Sequence, residues 1–114
     1  MIFVFGSNLA GRHGKGAALF AHQYRGAKHG FGIGPTGNSY AIPTKDTKLR
    51  TLPIVSIAGY VKHFIQYAVL HPELDFEVTR IGCGLAGYTD AQMAPLFIGA
   101  PSNCHLPPEW AEYL

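Results

Sequence analysis

Met1-Ile2-Phe3-Val4-Phe5-Gly6-Ser7-Asn8, continued by Leu9-Ala10-Gly11-Arg12-His13-Gly14-Lys15-Gly16-Ala17-Ala18, opens the chain. Its first residues form an apolar run that stops at a glycine, the pattern of a short strand buried on both faces. Past the glycine-rich stretch, Ala17, Phe20, Ala21, Tyr24 and Ala27 recur at helical spacing. That spacing predicts a helix from about Gly16 to Lys28, closed by Gly30. A strand leading through glycines directly into a helix is the repeating unit of α/β domains.

The same unit recurs downstream. Gly32–Asn38 reads as a turn-rich loop, Ser39–Ile42 as a second short strand, and Pro43–Pro53 as a polar loop. Ile57, Tyr60, Val61, Phe64, Ile65, Ala68 and Val69 make one apolar stripe, with Ser56 as N-cap and Pro72 as stop. Phe76–Ile81 is a third strand. Thr89 and Asp90 are the candidate caps of a short helix over Ala91–Ile98, in which Pro95 forfeits a backbone bond, and Asn103–Leu106 suits a fourth strand. The order β-α-β-α-β-α-β predicts an α/β fold, three-layer α/β/α around a mainly parallel or mixed central sheet, in a single domain over residues 1–114.

Composition bounds the function classes. Hydrophobic residues make up 47% and charged residues 14% of the chain, which fits a packed globule and excludes disorder. The absence of a membrane-length apolar run or a basic leader points to a cytoplasmic protein without a membrane partner. Two cysteines, Cys83 and Cys104, show no CxxC spacing, and His22, His29, His63, His71 and His105 fall into no ligand pattern, so neither a metal nor a cofactor is expected. Seven of the nine basic residues precede Ser56 and six of the seven acids follow it. This asymmetry predicts an anion-attracting side. The basic residues are dispersed among glycines, a distribution that does not favour nucleic acid as the partner.

Both glycine-rich loops leave the carboxyl ends of strands, where ligands bind in open α/β sheets. In the first, Gly6, Ser7 and Asn8 lead to Gly14-Lys15-Gly16-Ala17 at a helix start, whose free N–H groups and dipole favour an anion. In the second, Ile81-Gly82-Cys83-Gly84-Leu85-Ala86-Gly87-Tyr88 can form a nest of backbone N–H groups. Gly32-Ile33-Gly34-Pro35-Thr36-Gly37 fits GxGxxG, but it follows a helix and precedes a strand, the reverse of the dinucleotide fingerprint. Gly14-Lys15 is followed by glycine, so there is no P-loop.

Together these residues resemble the macrodomain family. Asn8 followed by Gly14-Lys15-Gly16-Ala17-Ala18 is similar to the macrodomain asparagine and glycine-rich loop, and Gly82–Tyr88 to the second loop, which ends in Gly-aromatic. Phe5-Gly6-Ser7-Asn8 with Ala41-Ile42-Pro43-Thr44-Lys45-Asp46 looks like a compact bacterial or phage variant, and the likeness covers residues 1 to about 106. The resemblance implies a small-molecule nucleotide ligand of the ADP-ribose type. Asn8 would touch the distal ribose or its water, Gly14, Lys15 and Gly16 would surround that ribose, and Gly84, Leu85, Ala86, Gly87 and Tyr88 would hold the diphosphate. Asn8 and His13 are the candidate catalytic residues for hydrolysis of an ADP-ribosyl ester or of the 1″-phosphate, His13 because its ordinary pKa suits proton transfer. A non-catalytic nucleotide sensor, a nucleic-acid partner for the basic half and a Cys83 thiol enzyme are the alternatives.

Overall fold

The structure, a computed structural model, describes all of residues 1–114. Its elements are β1 (Ile2–Asn8), α1 (Gly16–Tyr24), β2 (Gly34–Thr36), β3 (Ser39–Lys45), α2 (Ile54–Leu70), β4 (Phe76–Val78), α3 (Asp90–Met93) and β5 (Cys104–His105), with 3₁₀ turns at Ala94–Phe97 and Pro108–Tyr113. The sheet order is β2-β3-β1-β4-β5. β3, β1, β4 and β5 are mutually parallel and only β2 is antiparallel, so the sheet is mixed and mainly parallel.

Side-chain alternation along the two central strands divides the core into two layers. Phe3, Phe5 and Ala41 point to one face, where they meet Ala18, Ala21 and Ala27 of the α1 segment. Val4, Tyr40 and Ile42 point to the other, where Ile57, Val61, Phe64 and Ala68 of α2 pack with Phe97 and Trp110. A helix covers each face of the sheet, the three-layer α/β/α architecture that the strand–helix alternation predicts. No helix is long and apolar enough to cross a membrane.

Several boundaries differ from the sequence reading, each for a local reason. α1 stops at Tyr24 rather than Lys28, because the chain turns left-handed at Gly26 (φ 76) before reaching Gly30. The Gly32–Asn38 loop contains β2, an antiparallel edge strand of three residues, too short to show an alternating pattern. β3 runs through Pro43 to Lys45 instead of ending at Ile42. Proline is tolerated there because the register slips: Ser7 faces Pro43 but Asn8 faces Lys45, leaving Thr44 as an extra residue in a bulge.

α2 begins at Ile54 behind Pro53, so Ser56 lies within the first turn and is not the N-cap. Thr89, not Asp90, caps α3; its hydroxyl accepts from the Gln92 N–H while the Gln92 side chain accepts from the Thr89 N–H. Pro95 sits at the start of the 3₁₀ turn, where its missing N–H costs nothing, and it does not kink a longer helix. Asn103 closes the other end of α2, its amide nitrogen lying 3.1, 3.1 and 3.0 Å from the carbonyls of Ala68, His71 and Leu74.

Candidate functional site

β1 and β4 are parallel neighbours, so their carboxyl ends emerge on the same edge of the sheet and both glycine-rich loops depart from it. A cavity of about 650 Å³ lies between these loops, a size usual for small-molecule sites. One wall is Gly6, Ser7, Asn8, Arg12 and Gly14–Ala18; a second is the bulged end of β3 with Thr44, Lys45 and Leu49; the third is Thr79–Ala86. The structure therefore brings together Gly6, Ser7, Asn8, Gly14, Lys15, Gly16, Ala17, Gly82, Gly84, Leu85 and Ala86. Gly87, Tyr88 and His13 lie outside the lining.

The electrostatics of the wall have one sign. Arg12, Lys15, Lys45 and Arg80 line it, and no aspartate or glutamate does. Arg80 is paired, its guanidinium binding the Asp90 carboxylate at 3.0 and 2.6 Å. The backbone contributes in the same direction. The N–H groups of Gly16, Ala17 and Ala18 open α1 and have no intrahelical acceptor, and those of Gly14 and Lys15 just before them are also without a protein partner. In the second loop, Gly87 N–H donates to Gly84 and Tyr88 N–H to Gly82 at 3.0 and 2.9 Å, which closes the turn. The N–H groups of Gly84, Leu85 and Ala86 within that turn donate to no protein group.

Asn8 is 8% exposed and acts first on its own loop. Its Oδ1 accepts from the Arg12 N–H at 3.0 Å and its Nδ2 donates to the Arg12 carbonyl at 2.8 Å. One amide N–H and one lone pair remain for a ligand. The Tyr88 ring does not reach the cavity because its hydroxyl donates to the Leu52 carbonyl at 2.6 Å, pinning the second loop to the segment before α2. Thr51 ties the same segment to the Ala86 carbonyl at 3.0 Å. Asp46 likewise stays out of the wall. Its Oδ1 accepts from the N–H groups of Lys48 and Arg50 at 2.8 and 2.9 Å, closing the turn that holds Leu49 at φ 62 over the cavity.

His13 is fully buried behind Ser7, edge-on to Phe5, with Nε2 3.0 Å from Ser7 Oγ. Burial, then the neighbouring His29 and His22, holds its pKa below the ordinary value. It is thus neither the exposed loop residue nor the wall residue that its sequence context leaves open. His22 and His29, which share no spacing pattern, are nevertheless brought beside it; the turn after α1 is tied to the first loop by the Gly30 N–H donating to the Gly11 carbonyl at 2.9 Å. Thr79 and Arg80 are wall residues that the loop motifs do not reveal, their one signal in the sequence being their position at the end of a strand, while Thr44 falls within the Ala41–Asp46 stretch that carries part of the resemblance.

Cys83 lines the cavity, but burial, reinforced by the Asp90 carboxylate, pushes its thiol up to about 11. Cys104, buried on β5 beside β4, is raised to about 11 as well. A thiol with that pKa has a thiolate fraction at neutral pH about two orders of magnitude below that of a free cysteine. Iodoacetamide labelling of the folded protein, followed by mass spectrometry, is therefore expected to be about 10-fold or more slower than that of a free thiol at pH 7.5, the higher nucleophilicity of the basic thiolate offsetting part of its scarcity, and to keep accelerating beyond about pH 10. Rapid labelling of Cys83 at neutral pH would contradict this assignment. In comparisons with protein-family models, characterised proteins and solved structures, nothing matches the chain.

Proposed function

We propose that the cavity binds a nucleotide diphosphate of the ADP-ribose type, with its phosphates on the second loop and the start of α1. The observation that carries this reading is the convergence of two sets of unbonded backbone N–H groups, Gly14–Ala18 and Gly84–Ala86, on one cavity whose charged side chains are all cationic. Such groups bind anions without rearrangement, because their dipoles are already oriented and their partners absent. Asn8, with its remaining donor and acceptor, is suited to a sugar hydroxyl or an ordered water. The macrodomain resemblance likewise gives Asn8 to the sugar and Gly84–Ala86 to the diphosphate, but it assigns Gly14–Gly16 to the distal ribose and not to a phosphate.

Binding is better supported than acid–base catalysis. The titratable groups of the wall are Arg12, Lys15, Lys45, Arg80 and a thiol held protonated, while His13 lies behind it. Hydrolysis would therefore have to rely on a water positioned by Asn8 and by the substrate's own phosphate.

The test is a thermal-shift panel of ADP-ribose, its 1″-phosphate, NAD, AMP and cyclic nucleotides. A ligand at about 100 times its Kd adds about 2.7 kcal/mol of stability, roughly 10 °C in Tm for a domain of this size. A Cβ at Gly84 would meet no atom within 4 Å. Gly84→Leu is therefore expected to keep the unliganded Tm while filling the phosphate cradle and removing the shift. If no compound in the panel raises the wild-type Tm, the nucleotide reading fails. Turnover of an ADP-ribosyl ester, lost in Asn8→Ala with binding retained, would replace the binding module by a hydrolase.

A further inference from the structure

The three histidines on the α1 side of the sheet lie apart from the cavity and are not explained by it. His13 comes from the first loop, His22 from the end of α1, and His29 from the turn that follows. Each offers one ring nitrogen within 4.8 Å of the other two. The His22 and His29 ring centroids are 3.9 Å apart, and the His13 ring lies 5.5 Å from His29.

The hydrogen-bond pattern is that of a ligand set. His13 Nε2 is bonded to Ser7 Oγ, while its Nδ1 is buried without any hydrogen-bond partner. A buried ring nitrogen left in that state costs about 1–3 kcal/mol, which a bound cation would recover. His22 Nδ1 lies 2.7 Å from the Ala27 carbonyl, which can only accept, so Nδ1 is the donor of that bond and Nε2 is left without a hydrogen-bond partner. A backbone carbonyl on the far nitrogen is the usual support of a metal-bound imidazole. His29 is exposed, and its one bond, from the His13 N–H to Nδ1, is long at 3.3 Å.

We propose that His13, His22 and His29 form a site for a divalent transition metal of the zinc class, with three nitrogen ligands and a fourth position open to solvent. An all-imidazole set suits zinc, copper or nickel and does not suit magnesium or calcium, which take oxygen ligands. Zn–N bonds of about 2.0–2.1 Å in a tetrahedron place the nitrogens about 3.4 Å apart. Closing from the present spacing takes small rotations of His22 and His29, both of which reach the surface. The buried His13 ring is the fixed point of the site.

Cobalt(II) added to the full chain after dialysis against a chelator is the test, because four-coordinate cobalt absorbs visible light far more strongly than the hexaaqua ion. The wild type is expected to take up one cobalt per chain with that absorption and to lose it on addition of zinc. His22→Ala and His29→Ala, both near the surface, are expected to keep the far-ultraviolet circular dichroism of the fold and to weaken cobalt binding by about 100-fold or more, since even outer-shell changes cost about 10- to 100-fold. His63→Ala, on α2, is expected to bind as the wild type does. Absence of the four-coordinate spectrum, or cobalt affinity unchanged in both His22→Ala and His29→Ala, overturns the proposal. Neither outcome bears on the nucleotide cavity, which shares none of these residues.

Discussion

Gly32→Ala is expected to lower stability by about 3 kcal/mol, at the upper end of what an extra methyl costs in a packed interior, and to abolish any ligand-induced stabilisation. A Cβ at this position would lie 1.8 Å from the Asn8 carbonyl oxygen and 2.9 Å from its carbon. Both are backbone atoms, so no rotamer change relieves the overlap. The same oxygen accepts the Gly11 N–H at 2.9 Å, and the Asn8 side chain clamps Arg12. Displacing Asn8 therefore disturbs the whole entry to the first loop, and the cavity wall with it. Gly59→Ala is the control: its Cβ meets nothing within 4 Å inside α2. There the substitution is expected to stabilise by about 0.5–1 kcal/mol through helix propensity. Urea denaturation of both variants decides the matter, and a loss below about 1 kcal/mol for Gly32→Ala would show that the loop yields more easily than its packing implies.

Gly32 also marks the limit of what the residue pattern conveys. The Gly32–Gly37 match to a dinucleotide motif fails on context, and the structure gives these glycines other duties: close packing on Asn8 at Gly32, and left-handed turns at Gly34 (φ 82) and Gly37 (φ 57). Nothing local distinguishes a glycine required by a distant carbonyl from one required by a phosphate. The alternation of apolar strands and amphipathic helices, by contrast, is a local property. It suffices for the α/β fold and for placing both glycine loops at one sheet edge. The β2 edge strand escaped because three residues carry no period, and the β3 extension because proline normally ends a strand. Tyr88 reads as a ligand contact by its place in the loop, yet its orientation is set by Leu52, 36 residues away. The histidine cluster escaped for the same reason: its members share a place in space and not a spacing in the chain.

Trp110→Ala carries the largest expected loss of stability, about 4 kcal/mol, in the range for removing a fully buried large aromatic side chain. Trp110 has no exposed surface, and its ring lies 5.0 Å from that of Phe97 in the layer beneath α2. Its indole N–H also reaches out of that layer, donating to Asp90 Oδ1 at 2.8 Å. Asp90 in turn holds Arg80, a residue of the cavity wall. The Arg80 hydrogen bond first, and the Trp110 hydrogen bond after it, lower the Asp90 pKa to about 2. A carboxylate whose folded pKa lies below its unfolded value binds fewer protons folded than unfolded, so its contribution is complete above about pH 4 and disappears as pH falls toward 2. The wild type is thus expected to lose stability over that interval, and Asp90→Asn to lose less. Trp110→Phe separates the two roles of the residue, because it keeps most of the packing and removes only the N–H. Urea titrations at pH 7 are expected to rank wild type above Trp110→Phe above Trp110→Ala, and a carboxyl NMR titration is expected to place the Asp90 pKa higher in both variants. An unchanged Asp90 pKa would assign the low value to Arg80 and the Cys83 thiol, without Trp110. The C-terminal turn would then stabilise the core without setting the charge at the cavity wall.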